Sequence, residues 1–268
     1  DQVACDQMQF SSTFNLASSA LSLRNIAVVA ASGNSGDVSG NEDKIMSPAC
    51  ATGVISVGSS TKNGKMASYG NAGGLLDLVA LGGEISGTNA DGGIALPTSI
   101  SGSEWVSANG TSFAAPQVAA AFAVMREQNP TLSTASVLKL LQDSGTAITE
   151  DRVGYTALVH KELDLAAALA ASVDMPNITT FTGPSGSVTA GSIISLNLAA
   201  TNANSCVIGT NTVIGSTIGL TNGSATTTVT VPTTGNSVTY IASCYDDQAD
   251  EYLAQSSLSL AIAGGNTV

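Results

Sequence analysis

Residues 109–121 read Asn-Gly-Thr-Ser-Phe-Ala-Ala-Pro-Gln-Val-Ala-Ala-Ala, a glycine-led turn that runs straight into an apolar helix. Ser112 then stands at a helix N-terminus, where unpaired backbone N–H groups and the positive end of the helix dipole favour a developing negative charge. A serine so placed is a candidate nucleophile. A serine at a helix start is more often a plain N-cap, so its neighbours decide. Ala114, Ala115, Val118, Ala119, Ala120, Ala121, Ala123 and Val124 make the helix apolar nearly all round, which predicts that it is buried. An exposed cap has no need of that.

The helix spans about Thr111 to Gln128 and stops at Asn129-Pro130. Ser133 or Thr134 caps another helix reaching Asp143, and a last one is expected from about Lys161 to Ala171. Upstream, residues 11–24 carry apolar side chains at helical spacing and end at Arg24-Asn25. Ile26-Ala-Val-Val-Ala-Ala31 reads as a strand buried on both faces, followed by a Ser-Gly-Asn-Ser-Gly loop. Val54–Gly58 and Leu75–Ala80 are further short strands, and Gly82 to Ser103 is loop with a hairpin. This alternation predicts an α/β fold: part of a doubly wound, mostly parallel sheet with helices on both faces.

After Asp174 the pattern changes. Residues 178–263 show no helical period, many Thr, Ser and Asn, and short alternating runs such as Ile194–Leu198 and Val238–Cys244. They predict an antiparallel β-sandwich with immunoglobulin-like topology. The expected domains are therefore 1–174 and 175–268. The first has a gap: no crossover unit precedes residue 11, so the strand at 26–31 has neighbours on one side only. An uncovered apolar edge recruits a partner or aggregates.

The 268 residues carry 8 Lys+Arg against 20 Asp+Glu, a net charge of −12, and residues 162–268 contain no basic side chain. Nucleic acid and anionic membrane are poor partners for such a surface. No apolar run approaches the length that spans a bilayer. The sequence starts at Asp1 without a signal peptide, which implies a start that was processed, excised or cloned. The four cysteines fall as Cys5 with Cys50 and Cys206 with Cys244, and the lack of a CxxC motif favours disulfides of a secreted protein over a metal site. Four buried thiols are the alternative. Each bridge would add roughly 3–4 kcal/mol, and one between Cys206 and Cys244 would join the two sheets of the sandwich.

Taken together, "VVAASGNSG" (28–36), "SPACATGVISVGSS" (47–60), "LDLVALGG" (76–83) and "NGTSFAAPQVAAA" (109–121) occur in the order and approximate spacing of the second half of a subtilisin-like serine protease domain. The resemblance covers roughly residues 1–170. It implies that Ser112 is the acylating nucleophile, and that the Asn34 side-chain amide and the Ser112 N–H receive the oxyanion. Ala31, Ser32 and Gly33 would form a wall of the substrate pocket, Met46 its base, and Gly110 and Thr111 would also bind substrate. The Ser47-Pro48 bond matches a position often cis in the family. Gln117 stands where the family usually has His, Ala120 replaces a usual Gly and Leu81 a common Pro.

The family's catalytic Asp and His motifs are not in this sequence. The single histidine, His160, lies beyond the serine helix and reads as a partly exposed residue at a helix start. Without a general base a serine hydroxyl is a weak nucleophile, so these 268 residues alone are expected to be inactive. The implied partners are an N-terminal protease segment supplying Asp and His, and protein or peptide substrates. No cofactor is required by the chemistry. Calcium is common in the family as a structural ion, and Asp37, Glu42, Asp43, Asp77 and the cluster Asp246, Asp247, Asp250 and Glu251 are oxygen-rich candidates without the spacing of a calcium loop. The competing reading is a secreted, non-catalytic binding or surface-assembly protein that keeps part of a protease fold.

Overall fold

A computed structural model of the chain describes residues 11–87, 90–97, 105–210, 213, 215, 217–246 and 253–264. The chain divides into two compact units, one of Asp1–Met125 and Val137–Ala170, the other of Arg126–Ser136 and Ala171–Val268.

In the first unit, helix α1 (Ser11–Leu23) ends in a Schellman turn. Ile26 N–H donates to Leu21 O and Asn25 N–H to Ser22 O, each at 2.9 Å, with Asn25 at φ +63°. The chain then enters a five-stranded sheet of order β1-β2-β3-β7-β6. Its strands are β1 (Val28–Ala31), β2 (Val54–Ser60), β3 (Leu78–Leu81), β6 (Thr146–Thr149) and β7 (Val159–Glu162). The first three pairings are parallel and β6–β7 is antiparallel, which is the mostly parallel α/β arrangement expected. A separate hairpin joins β4 (Ile94–Pro97) to β5 (Trp105–Ala108).

β2 is buried along its whole length, and its hydroxyls are satisfied inside. Ser56 Oγ reaches Asp77 Oδ2 at 2.9 Å, and Ser59 Oγ meets the Tyr69 hydroxyl at 2.7 Å. β1, by contrast, is only half-buried throughout. The expectation of burial on both faces is corrected: among the described residues β1 pairs with β2 on one edge only. β3 starts later than read, because Leu76 N–H closes a turn onto Gly73 O at 3.0 Å.

Helix α2 (Thr111–Gln128) matches its predicted bounds but not its predicted surroundings. Thr111, Ala114, Val118, Ala121, Phe122 and Met125 are buried, whereas Ala119, Ala120, Ala123 and Val124 are exposed. Burial thus follows one face, not the whole circumference. Helix α3 (Thr134–Ser144) is capped by Ser133, whose Oγ accepts the Ser136 N–H at 3.0 Å.

The helix expected from Lys161 begins only at Leu165, as α4 (Leu165–Ala171). Residues 159–162 form β7 instead, so His160 is not a half-exposed helix-start residue but a strand residue with 6% of its surface exposed. Its Nε2 is buried without a hydrogen-bond partner.

The second unit is antiparallel apart from one short pairing. β13 (Ser224–Thr230), β10 (Ile193–Thr201) and β8 (Asn177–Thr182) form one sheet. β12 (Thr217–Gly219), β11 (Ser205–Thr210), β14 (Ser237–Tyr245), β15 (Ala254–Ala263) and β9 (Val188–Thr189) form the other. Alternate residues of both, among them Leu196, Leu198, Ile208, Tyr240 and Leu260, share one apolar cluster. The backbone of the α2–α3 turn adds to this unit, with Ser133 N–H on Leu253 O at 2.9 Å.

Cys206 and Cys244 are disulfide-bonded, but not between sheets. They face each other on the paired strands β11 and β14, with Cα atoms 4.0 Å apart. The expected inter-sheet bridge is therefore a cross-strand staple within one sheet. The Cys5–Cys50 pairing lies outside the described residues, because Cys5 does.

Burial holds the His160 pKa below its ordinary value, against the opposing pull of Glu150. The unfolded chain therefore takes up this proton near pH 6.5 while the folded chain still resists it. The sign is that stability is complete above that pH and is lost as pH falls toward the folded value. Melting curves between pH 7.5 and 5 should show a larger fall in Tm for the wild type than for His160→Gln. Parallel falls would contradict the assignment.

Candidate active site

The loop after β1 carries Asn34, and the first turn of α2 carries Ser112; both are exposed. Gly33 makes the turn between strand and asparagine at φ +119°. A Cβ there would lie 2.5 Å from Met46 Cγ and 2.6 Å from Asn71 Oδ1, so only glycine fits.

The junction between loop and helix is made by Thr111, which is fully buried. Its N–H and its Oγ1 both donate to Asn34 Oδ1, at 2.9 and 2.8 Å. Because a backbone N–H can only donate, the amide atom facing it must be the oxygen, and this settles which way the Asn34 amide points. Nδ2 is left as the outward donor. A Cβ built on Gly110 would lie 3.4 Å from that Nδ2 and 3.7 Å from the Ser112 backbone nitrogen, so two donors flank one small volume. Phe113 N–H is used locally, on Gly110 O at 3.0 Å. Ser112 N–H has no acceptor among the described residues. Pro116 lies inside the helix and lacks the N–H that would bond Ser112 O. The arrangement is a hydroxyl beside two preorganised donors, suited to a tetrahedral oxyanion.

The remaining expected site residues divide between the pocket and its support. Ala31 ends β1, half-buried. Ser32 is fully buried and donates its hydroxyl to Asn71 O at 2.7 Å, so its side chain faces inward. Met46 is 38% exposed and its N–H donates to Ser32 O at 2.8 Å, which ties the two segments expected to form the pocket together. The Ser47-Pro48 peptide is cis. Gly110 N–H donates to Gly82 O at 3.2 Å. Thr111, expected among the substrate contacts, lies behind the site with its polar atoms committed to Asn34. Gln117 Nε2 donates to Leu81 O and Phe113 O, at 2.6 and 2.7 Å. Nearby, burial pushes the Tyr69 hydroxyl pKa up, and that hydroxyl donates to Gly83 O at 2.8 Å.

Three of the acidic candidates for calcium are engaged by protein donors. Asp77 Oδ2 accepts the Ser56 N–H at 2.7 Å, Asp43 accepts the Thr156 N–H at 3.0 Å, and Glu42 accepts the Gly40 N–H at 2.6 Å. Burial raises the Asp77 pKa in spite of the Ser56 bonds. Among the described residues no three His, Cys, Asp or Glu side chains are grouped to hold a metal. Asp247, Asp250 and Glu251 lie outside the described residues.

The sequence model of the Subtilase family matches residues 4–161, more than half of the chain. The chain belongs to the subtilase family. It is 33% identical to Subtilisin BL of Lederbergia lenta over 152 residues, which is 57% of this chain and 51% of that protein. It is 36% identical to Subtilisin DY of Bacillus licheniformis over 137 residues, 51% of this chain and 46% of that one. The crystal structure of a lanthipeptide protease superposes with a TM-score of 0.50 at 23% identity, covering 60% of this chain and 55% of that one, a likeness of fold. The chain thus spans about half the length of the curated subtilases it matches. No helix among the described residues is long and apolar enough to cross a membrane.

Sequence reading missed Asn71 and gave Thr111 a different part, as a substrate contact. The bonds from Thr111 to Asn34 were hidden because the two lie 77 positions apart. Asn71 was hidden because its side-chain and carbonyl partners lie 27 to 39 positions away; the loop around Gly70 carries no motif. Gly33→Ala should lower the stability of the chain by about 1–3 kcal/mol, since the new methyl group meets both a strained φ and two side chains. Urea denaturation monitored by circular dichroism measures it, and an unchanged midpoint would refute the crowding.

Proposed function

We propose that this chain is the C-terminal portion of a secreted subtilisin-like serine endopeptidase, followed by an immunoglobulin-like β-sandwich domain. The observation that carries the reading is the pair of bonds from Thr111 into Asn34 Oδ1, which aim Nδ2 at the volume beside the Ser112 N–H. A plain helix cap has no use for a second donor held there.

In the proposed reaction, Ser112 Oγ attacks the carbonyl carbon of the scissile peptide as its proton passes to an imidazole. The carbonyl oxygen becomes an oxyanion and takes hydrogen bonds from Asn34 Nδ2 and Ser112 N–H. The amine then leaves with the proton, and water releases the acyl group by the same route. Loss of one such donor costs about 2.7–4 kcal/mol of transition-state stabilisation, a magnitude that belongs to subtilisin, where such a donor was removed.

The imidazole, with the carboxylate that orients it, would come from a segment outside these 268 residues. The half-buried β1 and the exposed Ala119, Ala120, Ala123 and Val124 support this, since they leave apolar surface for such a segment to cover. No cofactor enters the step. The shared apolar cluster of the second unit's two sheets supports the β-sandwich reading.

Two outcomes are expected. With the Asp- and His-bearing segment present, a fluorophosphonate should label the protein at Ser112, read by peptide mass spectrometry, and Ser112→Ala should abolish labelling; no labelling of the assembled protein would favour a non-catalytic binding role. Asn34→Ala should lower kcat by about 100- to 1000-fold with KM little changed. A change confined to KM would count against the oxyanion role.

A further inference from the structure

Asn71 lies in the connection from β2 to β3 and has no exposed surface. Every polar atom it carries is used. Its Oδ1 accepts the Ser35 N–H at 2.9 Å, and its Nδ2 donates to Lys44 O at 2.8 Å and Asn41 O at 3.2 Å. Its backbone N–H donates to Gly33 O at 3.0 Å, and its carbonyl accepts the Ser32 hydroxyl at 2.7 Å. Ser32, Gly33 and Ser35 surround Asn34 in sequence. One buried residue therefore grips the oxyanion loop on both sides of its working side chain.

That grip is itself anchored. Arg152 Nη1 donates to Ala67 O and Gly70 O, both at 2.7 Å, just before Asn71. The buried carboxylate of Glu150 balances its charge at 2.9 and 2.6 Å. The Tyr155 hydroxyl donates to Gly36 O at 2.7 Å, two residues after Asn34. The loop between β6 and β7 thus braces both the oxyanion loop and the segment that holds it.

A Ser-Gly-Asn-Ser-Gly loop left to itself samples many backbone states. An oxyanion donor, however, acts only if it is in place before the charge develops. We propose that Asn71 is a positioning residue for the oxyanion site, fixing Gly33 and Ser35 so that Asn34 Nδ2 stays beside the Ser112 N–H. This rests on the protease reading of the site. Asn71 touches neither nucleophile nor substrate, so its effect on rate must pass through Asn34.

A double-mutant cycle on the full protease, with the segment carrying Asp and His, tests it. Asn71→Ala should lower kcat by about 10- to 100-fold with KM changed less than about threefold, within the range set by losing a donor outright. In an Asn34→Ala background the same substitution should change kcat by less than about threefold, since the group it positions is gone. Fluorophosphonate labelling rates at Ser112 should follow the same cycle. Asn71→Asp would set a carboxylate oxygen against the Lys44 and Asn41 carbonyls, so the uncharged Asn71→Ser carries the same cycle if the alanine variant does not fold. An equal loss in both backgrounds, or no loss in either, overturns the positioning role while leaving the protease reading intact. A wild-type assembly that neither labels nor cleaves overturns the protease reading, and this proposal with it.

Discussion

The two hydrogen bonds from Thr111 into the Asn34 carboxamide join the parts of this chain that the proposed chemistry requires to be together. One partner closes the loop after β1; the other opens α2, some 77 positions later. Both elements trace back to β2, which is buried on every residue: β1 pairs with it directly, and Gly110, just before α2, donates to Gly82 O while Gly82 N–H donates to Ser60 O at the end of β2. A helix N-terminus leaves several N–H groups without partners. Here Thr111 gives its own to the asparagine and Phe113 gives its own to Gly110, and Ser112 keeps one to offer. The site is thus a helix end with one vacancy, next to a second donor whose direction is already chosen.

Its surroundings are polar and buried, which is costly unless every group is matched. Ser56, Ser59, Ser60 and Asn71 are all hidden, and each has its partner in Asp77, Tyr69, Glu162 or the oxyanion loop. Such a network forgives little. Removing one member leaves the other in low dielectric without water, which typically costs about 1–3 kcal/mol. Apolar contacts alone would hold the sheet but would not choose one loop conformation over its neighbours.

Much of this was legible in the residues. The bounds of α2, the asparagine loop after a short apolar strand and the shift to antiparallel β after Asp174 follow from local period and turn chemistry. The failures share one cause: each depends on residues far apart in sequence. The run Val159–Glu162 is too short for alternation to tell strand from helix start, and only its pairing with β3 and β6 makes it a strand and buries His160. Spacing places Cys206 and Cys244 together but does not say whether their strands are neighbours in one sheet. The apolar circumference of α2 suggested a helix covered all round, yet composition records what a helix can bury and not what has come to cover it.

The bracing of the oxyanion loop has a consequence in time. Its holders sit at residues 67–71 and 150–156, so the loop cannot settle until a hairpin encoded more than a hundred positions later has docked. Closing so long an excursion is entropically slow. On the proposed protease reading, a half-folded copy whose β6–β7 hairpin has not docked lacks a placed oxyanion donor and is poorly equipped to cut its siblings.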